Sequence, residues 1–170
     1  ASGENALGWL VPNHEIRRAA LTQAASHPGV RLLCDARVTA LQRSGPFARL
    51  TLVDGRVLAA PLIVAADSRL SQTRRMAGIG ASMHDFGRTV IVGKLAHEGS
   101  NGAIALECFR YGNTLALLPM NGNQVSAVVT VASDRAAEWQ GLGDAEFAER
   151  IEAQSGGRLG AMRSVGGRHA

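Results

Sequence analysis

One short apolar run constrains the fold of this chain more than any other feature. Residues 62–66 read Leu-Ile-Val-Ala-Ala and end at the carboxylate of Asp67. A continuous apolar run of this length is typical of a strand buried on both faces of a parallel sheet. In open α/β sheets, ligands bind just beyond the carboxyl ends of such strands. The run therefore predicts an α/β domain with Asp67 at a candidate ligand site.

The residues around this run predict further elements. Small and apolar side chains recur at helical spacing over residues 13–26, and we expect Asn13 to cap this helix through its side-chain oxygen. The dipeptide Asp54-Gly55 predicts a type I′ hairpin turn, in which both central residues have positive φ. A short helix is expected over residues 71–77. Strands are expected over residues 30–34, 36–41, 47–53 and 56–60.

Beyond about residue 84 the sequence takes on the pattern of an antiparallel sheet. Polar and apolar residues alternate, which predicts a meander with one face toward water. A helix over residues 145–154 would place Phe147, Ala148 and Ile151 on one side. The alternating segments are residues 89–95, 103–109, 114–118 and 124–131.

These patterns predict three regions and a mixed α/β (α+β) fold. Residues 1–84 form the first domain, and residues 85–155 form an antiparallel sheet with a helix. Residues 156–170 are a tail rich in Gly and Arg, which we expect to become ordered only against further sequence.

The amino-acid composition limits the classes of function that this chain can have. Hydrophobic residues make up 46% of the chain, which suits a globular core and argues against disorder. The net charge of +4 comes from dispersed arginines without interleaved aromatic residues, which favours a solvated basic surface over nucleic-acid binding. No apolar run approaches the roughly 20 residues that span a bilayer. We expect a cytoplasmic protein, and a peripheral contact with an anionic membrane stays open.

The cysteines and histidines suggest no metal centre. Cys34 and Cys108 lie far apart in the sequence, and we expect them to be buried free thiols in a reducing compartment. The five histidines form no metal-binding spacing, and His97 is expected in an exposed turn.

A motif follows the apolar run. Ser71 lies four residues after Asp67, and Arg74 lies three residues further on. Asp67 taken alone is better explained as a helix cap. The complete pattern of strand, Asp, Ser and Arg resembles the Asp-Gly motif of class A FAD-dependent aromatic hydroxylases, and within them the hydroxylases of ubiquinone biosynthesis. Ser68 stands where most of the family has Gly, and its Cβ is tolerated if φ is negative there.

The resemblance implies a Rossmann-like FAD-binding domain followed by a substrate domain built on an antiparallel sheet. The residues it assigns to FAD are Asn13, Val38, Asp67, Ser71 and Arg74. The residues it assigns to the wall of the substrate cavity are Leu117, Leu118 and Pro119. Considered without the family, Asn13 is equally a plain cap, Val38 a core residue, and 117–119 the end of an ordinary strand.

The resemblance also implies an activity. FAD reduced by NAD(P)H would react with O2 to form a C4a-hydroperoxide, which transfers one oxygen atom to an aromatic ring. The implied substrate is a prenylated ubiquinone precursor. The implied setting is the periphery of the inner membrane, in a complex with other proteins of quinone biosynthesis.

Two motifs of the family do not occur in this sequence: the Gly-x-Gly-x-x-Gly turn that holds the pyrophosphate and the downstream Gly-Asp motif. We therefore interpret the chain as an internal fragment and expect it to be inactive and to bind FAD weakly or not at all. The alternatives are a flavin hydroxylase of a soluble phenol, a flavin-dependent reductase of isoprenoid chains, and a non-catalytic lipid-binding or accessory module.

Overall fold

The computed structural model describes residues 8–170, which form two compact units. The N-terminal unit comprises Pro12–His84, and the C-terminal unit comprises Asp85–Ala170 together with residues 8–11. Both units combine helices with antiparallel sheets, which confirms the predicted mixed α/β class. No helix within residues 8–170 is both long and apolar enough to span a bilayer.

The N-terminal unit contains a three-stranded antiparallel sheet in the order β1-β2-β3. A long helix precedes this sheet and a short one follows it. The elements are α1 (Asn13–Ser26), β1 (Val38–Ser44), β2 (Phe47–Leu52), β3 (Val57–Ala60) and α2 (Gln72–Met76).

Helix α1 has the predicted extent, but the expected cap is wrong. Pro12 occupies the N-cap position, and its carbonyl accepts the first hydrogen bonds, from the amides of Glu15 and Ile16. Asn13 is consequently the first helical residue. A capping side chain belongs to a residue with non-helical backbone angles, so Asn13 does not cap the helix.

The hairpin between β2 and β3 lies where Asp54-Gly55 predicts it, but the turn is not type I′. Four residues separate the strands, and only Gly55 has a positive φ, of +83°. The Asp54 carboxylate accepts hydrogen bonds from the amide of Arg56 at 3.0 Å and from its Nε at 2.7 Å. These local bonds hold a longer turn than the two-residue one predicted.

Two predicted strands do not form. Residues 30–34 and 62–66 have extended or irregular backbone without strand pairing among the described residues. Leu62 is 75% exposed and Val64 is 78% exposed, so the expected burial on both faces is also wrong. A parallel strand depends on hydrogen bonds from neighbours distant in sequence, and residues 8–170 place no such neighbour beside this run.

The C-terminal unit contains a five-stranded, fully antiparallel sheet in the order β5-β6-β7-β4-β8. A short 3₁₀ turn leads from the sheet into two helices. The elements are β4 (Arg88–His97), β5 (Leu106–Arg110), β6 (Asn113–Met120), β7 (Gln124–Ala132), α3 (Ala136–Gln140), α4 (Asp144–Ser155) and β8 (Met162–Ser164).

One face of this sheet forms the core together with α3 and α4. Every second residue of β7 is buried, which confirms the predicted alternation. Helix α4 contributes Phe147, Ala148 and Ile151, as its spacing predicts. Trp139 of α3 packs edge-on against Phe147. The sheet residues of this core are Ile91, Leu95, Leu115, Leu117, Val125, Ala127, Val129 and Val131.

The strand order corrects the expected meander. Strands β5, β6 and β7 are sequential neighbours, but β4 lies beside β7 instead of β5. The connection from β4 to β5 must therefore pass over two strands. Strand β4 pairs with β7 along nine residues, from Arg88 opposite Ala132 to Ala96 opposite Gln124. This long ladder stabilises the observed order, although a β4 placed beside β5 would need a shorter connection.

The tail is ordered within the chain itself, so its expected dependence on further sequence is wrong. Strand β8 extends the sheet along β4, and His169 forms an isolated bridge with Val92. The Arg168 guanidinium lies 4.8 Å from the centre of the Phe147 ring and donates to the carbonyl of Leu142. Backbone pairing and this cation–π contact supply the order that composition did not predict.

Candidate functional sites

The predicted Asp-Ser-Arg motif forms a hydrogen-bonded turn at the start of α2. The Asp67 carboxylate accepts the amide of Thr73 at 3.0 Å, and the Ser71 hydroxyl accepts the amide of Arg74 at 2.9 Å. The Arg74 guanidinium donates to the carbonyl of Ile79, just after the helix. Asp67 and Ser71 thus satisfy two free amides of the first turn of α2. Arg74 holds the chain where it leaves the helix. The N-cap residue of α2 is Ser71, so the interpretation of Asp67 as the helix cap is wrong, although its carboxylate accepts an amide of the same turn.

The electrostatics of this turn keep Asp67 charged. The Ser71 hydroxyl, followed by the amide of Thr73, holds the pKa of the Asp67 carboxyl well below its usual range. Asp67 is nevertheless exposed. The turn therefore presents an ionised carboxylate to solvent while its backbone is fixed by its own hydrogen bonds.

Ser68 adopts a conformation that the sequence did not predict. Its φ is +118°, whereas a Cβ at this position called for a negative value. The Ser68 carbonyl accepts the amide of Ser71 at 3.1 Å, and its hydroxyl accepts the amide of Leu70 at 3.2 Å. The turn thus imposes on Ser68 a backbone region that favours glycine. A glycine, which the Asp-Gly motif has at this position, would adopt this φ without that strain.

The two other predicted cofactor residues lie in the same unit. Asn13 is exposed in the first turn of α1. Val38 is the first residue of β1, is half-buried and pairs with Leu52. Helix α2, which follows the Asp67 turn, lies against β1.

The three predicted substrate residues are divided by the pleat of β6. Leu117 is 1% exposed and belongs to the core beneath the helices. Leu118 points to the opposite face and is half-buried. Pro119 lies near the end of the strand, opposite Val125. Successive strand residues alternate between faces, so Leu117 and Leu118 cannot line one surface.

The face of the C-terminal sheet opposite the helices is the second candidate site, and we call it the open face. Antiparallel residues that lie directly opposite each other share a face, so the register defines its rows. The alternation of the strands predicted an exposed face, but only the register shows which residues meet there. Two central rows are Phe109, Thr114, Thr130 and Val90, and Glu107, Ala116, Val128 and Val92.

His97 does not lie in an exposed turn, as was expected, but is buried at the end of β4. Its Nδ1 lies 2.9 Å from the carbonyl of Gly99, which requires a proton on that nitrogen, and its Nε2 lies 3.4 Å from the side-chain amide of Asn101. Both ring nitrogens have structural partners. In the part of the chain that the structure describes, no cluster of three or more His, Cys, Asp or Glu residues is suited to a metal ion.

The cysteines also differ from expectation. Cys34 is exposed and Cys108 is half-buried, and both are free thiols. Cys34 lies in the irregular segment where the predicted strand over residues 30–34 does not form, so the packing that would have buried it is missing.

Known proteins with similar sequences include ubiquinone hydroxylases. The chain is 43% identical over 171 residues to ubiquinone hydroxylase UbiM of Neisseria meningitidis, an alignment that covers 99% of the chain and 37% of that protein. It is 39% identical over 168 residues to ubiquinone hydroxylase UbiL of Rhodospirillum rubrum, covering 99% of the chain and 39% of the relative. The chain thus spans less than two fifths of the length of either. No protein-family model matches it.

Solved flavoenzymes share the fold. PqsL of Pseudomonas aeruginosa, solved in complex with 2-aminobenzoylacetate, superposes with a TM-score of 0.73 at 22% identity, over 92% of this chain and 47% of that one. Klebsiella pneumoniae HpxO, complexed with FAD and uric acid, superposes with a TM-score of 0.61 at 16% identity, over 93% and 43% of the two chains. Over nearly its entire length the chain is therefore similar in sequence to ubiquinone hydroxylases and has the fold of these solved flavoenzymes, which confirms the resemblance carried by the Asp67 motif.

Proposed function

We propose that this chain is the central part of an FAD-dependent monooxygenase that hydroxylates the aromatic ring of a prenylated ubiquinone precursor, with O2 as the oxygen source. The observation that carries the proposal is the 43% identity to UbiM across 99% of the chain. This alignment runs through both units, so the relationship does not depend on the Asp67 motif alone.

The Asp67 turn fits the nucleotide part of FAD. A carboxylate that follows an apolar segment can accept a hydrogen bond from a ribose hydroxyl, as acidic residues do in dinucleotide-binding folds. Asp67 is ionised and exposed, and its turn is held by Ser71 and Arg74. We therefore assign direct contact with FAD to Asp67 and positioning to Ser71 and Arg74. Asn13, through its exposed side chain, and Val38, through its main chain, are proposed as further contacts.

The chemistry is shared between cofactor and protein. When bound, the flavin supplies electron transfer from NAD(P)H and the activation of O2. The residues of this chain bind the cofactor, orient the aromatic ring and exclude water from it. None of them is required to act as a nucleophile.

The open face suits an uncharged aromatic substrate. The middle of its two central rows consists of Ala116, Val128, Thr114 and Thr130, which are small or uncharged and form a shallow floor. A planar ring can rest on such a floor without leaving a buried charge unpaired. Leu118 is proposed to continue this surface, whereas Leu117 and Pro119 stand on the other face of β6 and support the strand from the core side.

The substrate also suggests where the protein acts. A prenylated precursor partitions into the bilayer, and the net charge of +4 favours an anionic membrane surface. We propose a cytoplasmic protein at the periphery of the membrane, in contact with other enzymes that handle the same precursors.

A hybrid enzyme tests the proposal. In this hybrid enzyme, residues 1–170 replace the aligned 171-residue segment of Neisseria meningitidis UbiM. We expect the purified hybrid to retain FAD, seen as visible flavin absorbance, and to incorporate ¹⁸O from ¹⁸O2 into a prenylated precursor. Reduction of the isoprenoid chain without ¹⁸O, hydroxylation of soluble phenols alone, or a folded hybrid without flavin would each contradict the proposal.

A pair of variants tests the cofactor site in the hybrid enzyme. Asp67→Asn removes the charge but keeps the size of the side chain, and we expect FAD to bind roughly tenfold or more weakly. Asp54→Asn, in the exposed β2–β3 turn, is the matched control and should leave the affinity unchanged. Equal affinities for the two variants would show that Asp67 only holds the turn before α2, through the amide of Thr73.

The isolated chain gives a third measurement. Because the sequence contains neither the pyrophosphate-binding glycines nor the Gly-Asp motif, we expect little or no quenching of flavin fluorescence when FAD is titrated with the 170-residue chain. Micromolar binding would mean that the turn around Asp67 holds FAD with less help than we propose.

A further inference from the structure

The open face carries one large side chain beside its floor of small residues. Phe109 pairs with Thr114, and Thr114 pairs with Thr130, so the three side chains stand in one row on the same face. Phe109 is 80% exposed. An aromatic ring that exposed makes little contribution to the core, and its neighbours Leu106 and Cys108 supply the contacts of β5 with that core.

The position of Phe109 in the sheet makes it a side wall and not part of the floor. Among the described residues, strand β5 pairs only with β6 and is an edge strand of its sheet. A ring on this edge rises at the margin of the floor formed by Thr114, Ala116, Thr130 and Val128. A molecule lying on the floor would therefore meet the Phe109 ring from the side, and the row of Phe109 contains no charged group.

The chemistry of this margin favours an apolar group on the substrate ring. The charged residues on this face lie outside the Phe109 row: Glu107 lies in the adjacent row along β5, Arg88 and Lys94 lie on β4, and Arg163 lies on β8. An exposed aromatic ring next to a neutral floor gains free energy by covering apolar surface. A hydrocarbon substituent fits this place, whereas a carboxylate would lose its hydration there without gaining a cationic partner.

We propose that Phe109 is a specificity-determining residue of the hydroxylase, and that its ring packs against the apolar substituent of the substrate where that substituent leaves the aromatic ring. This inference rests on the function proposed above. It adds the side chain by which the enzyme distinguishes a ring that carries a hydrocarbon chain from the same ring without one.

The test uses the hybrid enzyme and two substrates, a prenylated quinol precursor and the same ring without the prenyl chain. For Phe109→Ala we expect kcat/KM for the prenylated substrate to fall by roughly tenfold, mainly through KM, because ground-state apolar contact is lost. The unprenylated substrate should change less than twofold. Phe109→Leu keeps an apolar side chain and should recover most of the loss.

Tyr111→Ala is the matched control. Tyr111 belongs to the same hairpin and is fully exposed at the turn beyond β5, so its loss should leave both substrates unaffected. All variants should retain the flavin content of the parent, because neither ring contributes to the core.

The outcomes separate this inference from the proposed function. If the parent hybrid hydroxylates neither substrate, the proposed function fails. If the parent is active but Phe109→Ala lowers kcat/KM equally for both substrates, or for neither, the role of Phe109 is refuted while the proposed function stands. A loss confined to kcat would also overturn it, since that pattern indicates an effect on the chemical step.

Discussion

Both units combine helices with an antiparallel sheet, but they bury their apolar side chains to very different extents. In the C-terminal unit, one face of the sheet and two helices enclose a core that includes Ile91, Phe147 and Ile151. In the N-terminal unit, Leu52 is the one buried apolar residue among those described. The large apolar residues it exposes include Leu62, Val64, Val57 and Ile79.

This difference shows that apolar sequence stabilises a fold only where a second layer covers it. The sheet of the C-terminal unit has α3 and α4 on one face. The β1-β2-β3 sheet is also antiparallel, but it is smaller and α1 contributes no buried residue. A three-stranded sheet needs a covered hydrophobic face or a packed helix to be stable by itself in water. We therefore expect the units to open separately, the N-terminal unit first.

The largest expected effect is that of Phe147→Ala. Phe147 is fully buried between α4 and the sheet, and its truncation should lower the unfolding free energy of the C-terminal unit by about 3–5 kcal/mol. Hydrogen exchange resolved by peptide mass spectrometry measures this on peptides from β6 and β7. Phe47→Ala makes the same truncation on the half-exposed β2 strand and should cost less than about 1 kcal/mol. Equal losses of unfolding free energy for the two variants would contradict the difference in burial between the units.

A smaller effect is expected at the contact between β4 and α4. A Cβ on Gly93 would lie 2.8 Å from a ring carbon of Phe147. Gly93→Ala should therefore destabilise the C-terminal unit by about 1–3 kcal/mol through overpacking. Gly166→Ala is the control, since its new Cβ would meet nothing closer than 3.9 Å. Urea unfolding followed by circular dichroism compares the two, and an unchanged midpoint for Gly93→Ala would disprove the tight contact.

Ser68→Gly is expected to stabilise the N-terminal unit locally. It relieves the positive φ of +118° and loses the bond from the Leu70 amide, for a net gain of about 1 kcal/mol. The amides of Ser71 and Thr73, which are bonded within the turn, should exchange several-fold more slowly. Ser68→Ala keeps the strain and removes the hydroxyl, so it should accelerate their exchange. If both variants slow it, strain at Ser68 is not the cause.

The smallest effect concerns the titration of Asp67. Its pKa is lowered in the folded chain, so the stability it contributes is present above the unfolded pKa of about 3.9 and is lost as pH falls through the lower folded value. Carboxyl chemical shifts in an NMR titration should place its midpoint below that of an ordinary Asp. Ser71→Ala should raise the midpoint more than Thr73→Ala, because the Ser71 hydroxyl is the largest cause. The reverse order would contradict the assigned hydrogen bonds.

Sequence reasoning succeeded where structure depends on residues close together in the chain. Helix α1 and the hairpin around Gly55 lie where spacing and turn composition predict them. The alternation along β7 and the apolar side of α4 appear as expected. It failed for residues 30–34 and 62–66, which have strand-like composition but no strand beside them in residues 8–170.

The candidate sites divide in the same way. The motif singled out Asp67, Ser71 and Arg74 without any knowledge of the fold, but it did not name their hydrogen-bond partners, which lie three to six residues away. The positive φ of Ser68 was missed, because a backbone angle follows from closing the whole turn and not from one residue type. The row that Phe109 shares with Thr114 and Thr130 was not predicted, because nothing in the local sequence shows which residues pair across the strands.

By itself, the sequence determined the class of fold, the helix around residues 13–26, the alternating strands and the hydrogen-bonded turn at Asp67. Only the tertiary structure decided the order β5-β6-β7-β4-β8, the pairing of the tail with β4, and the separation of Leu117 from Leu118 onto opposite faces. The physical reason is the range of the interactions. Helical periods and turn bonds act within a few residues, whereas the choice of strand partner depends on which distant segment offers the longest ladder and the best cover for the apolar face.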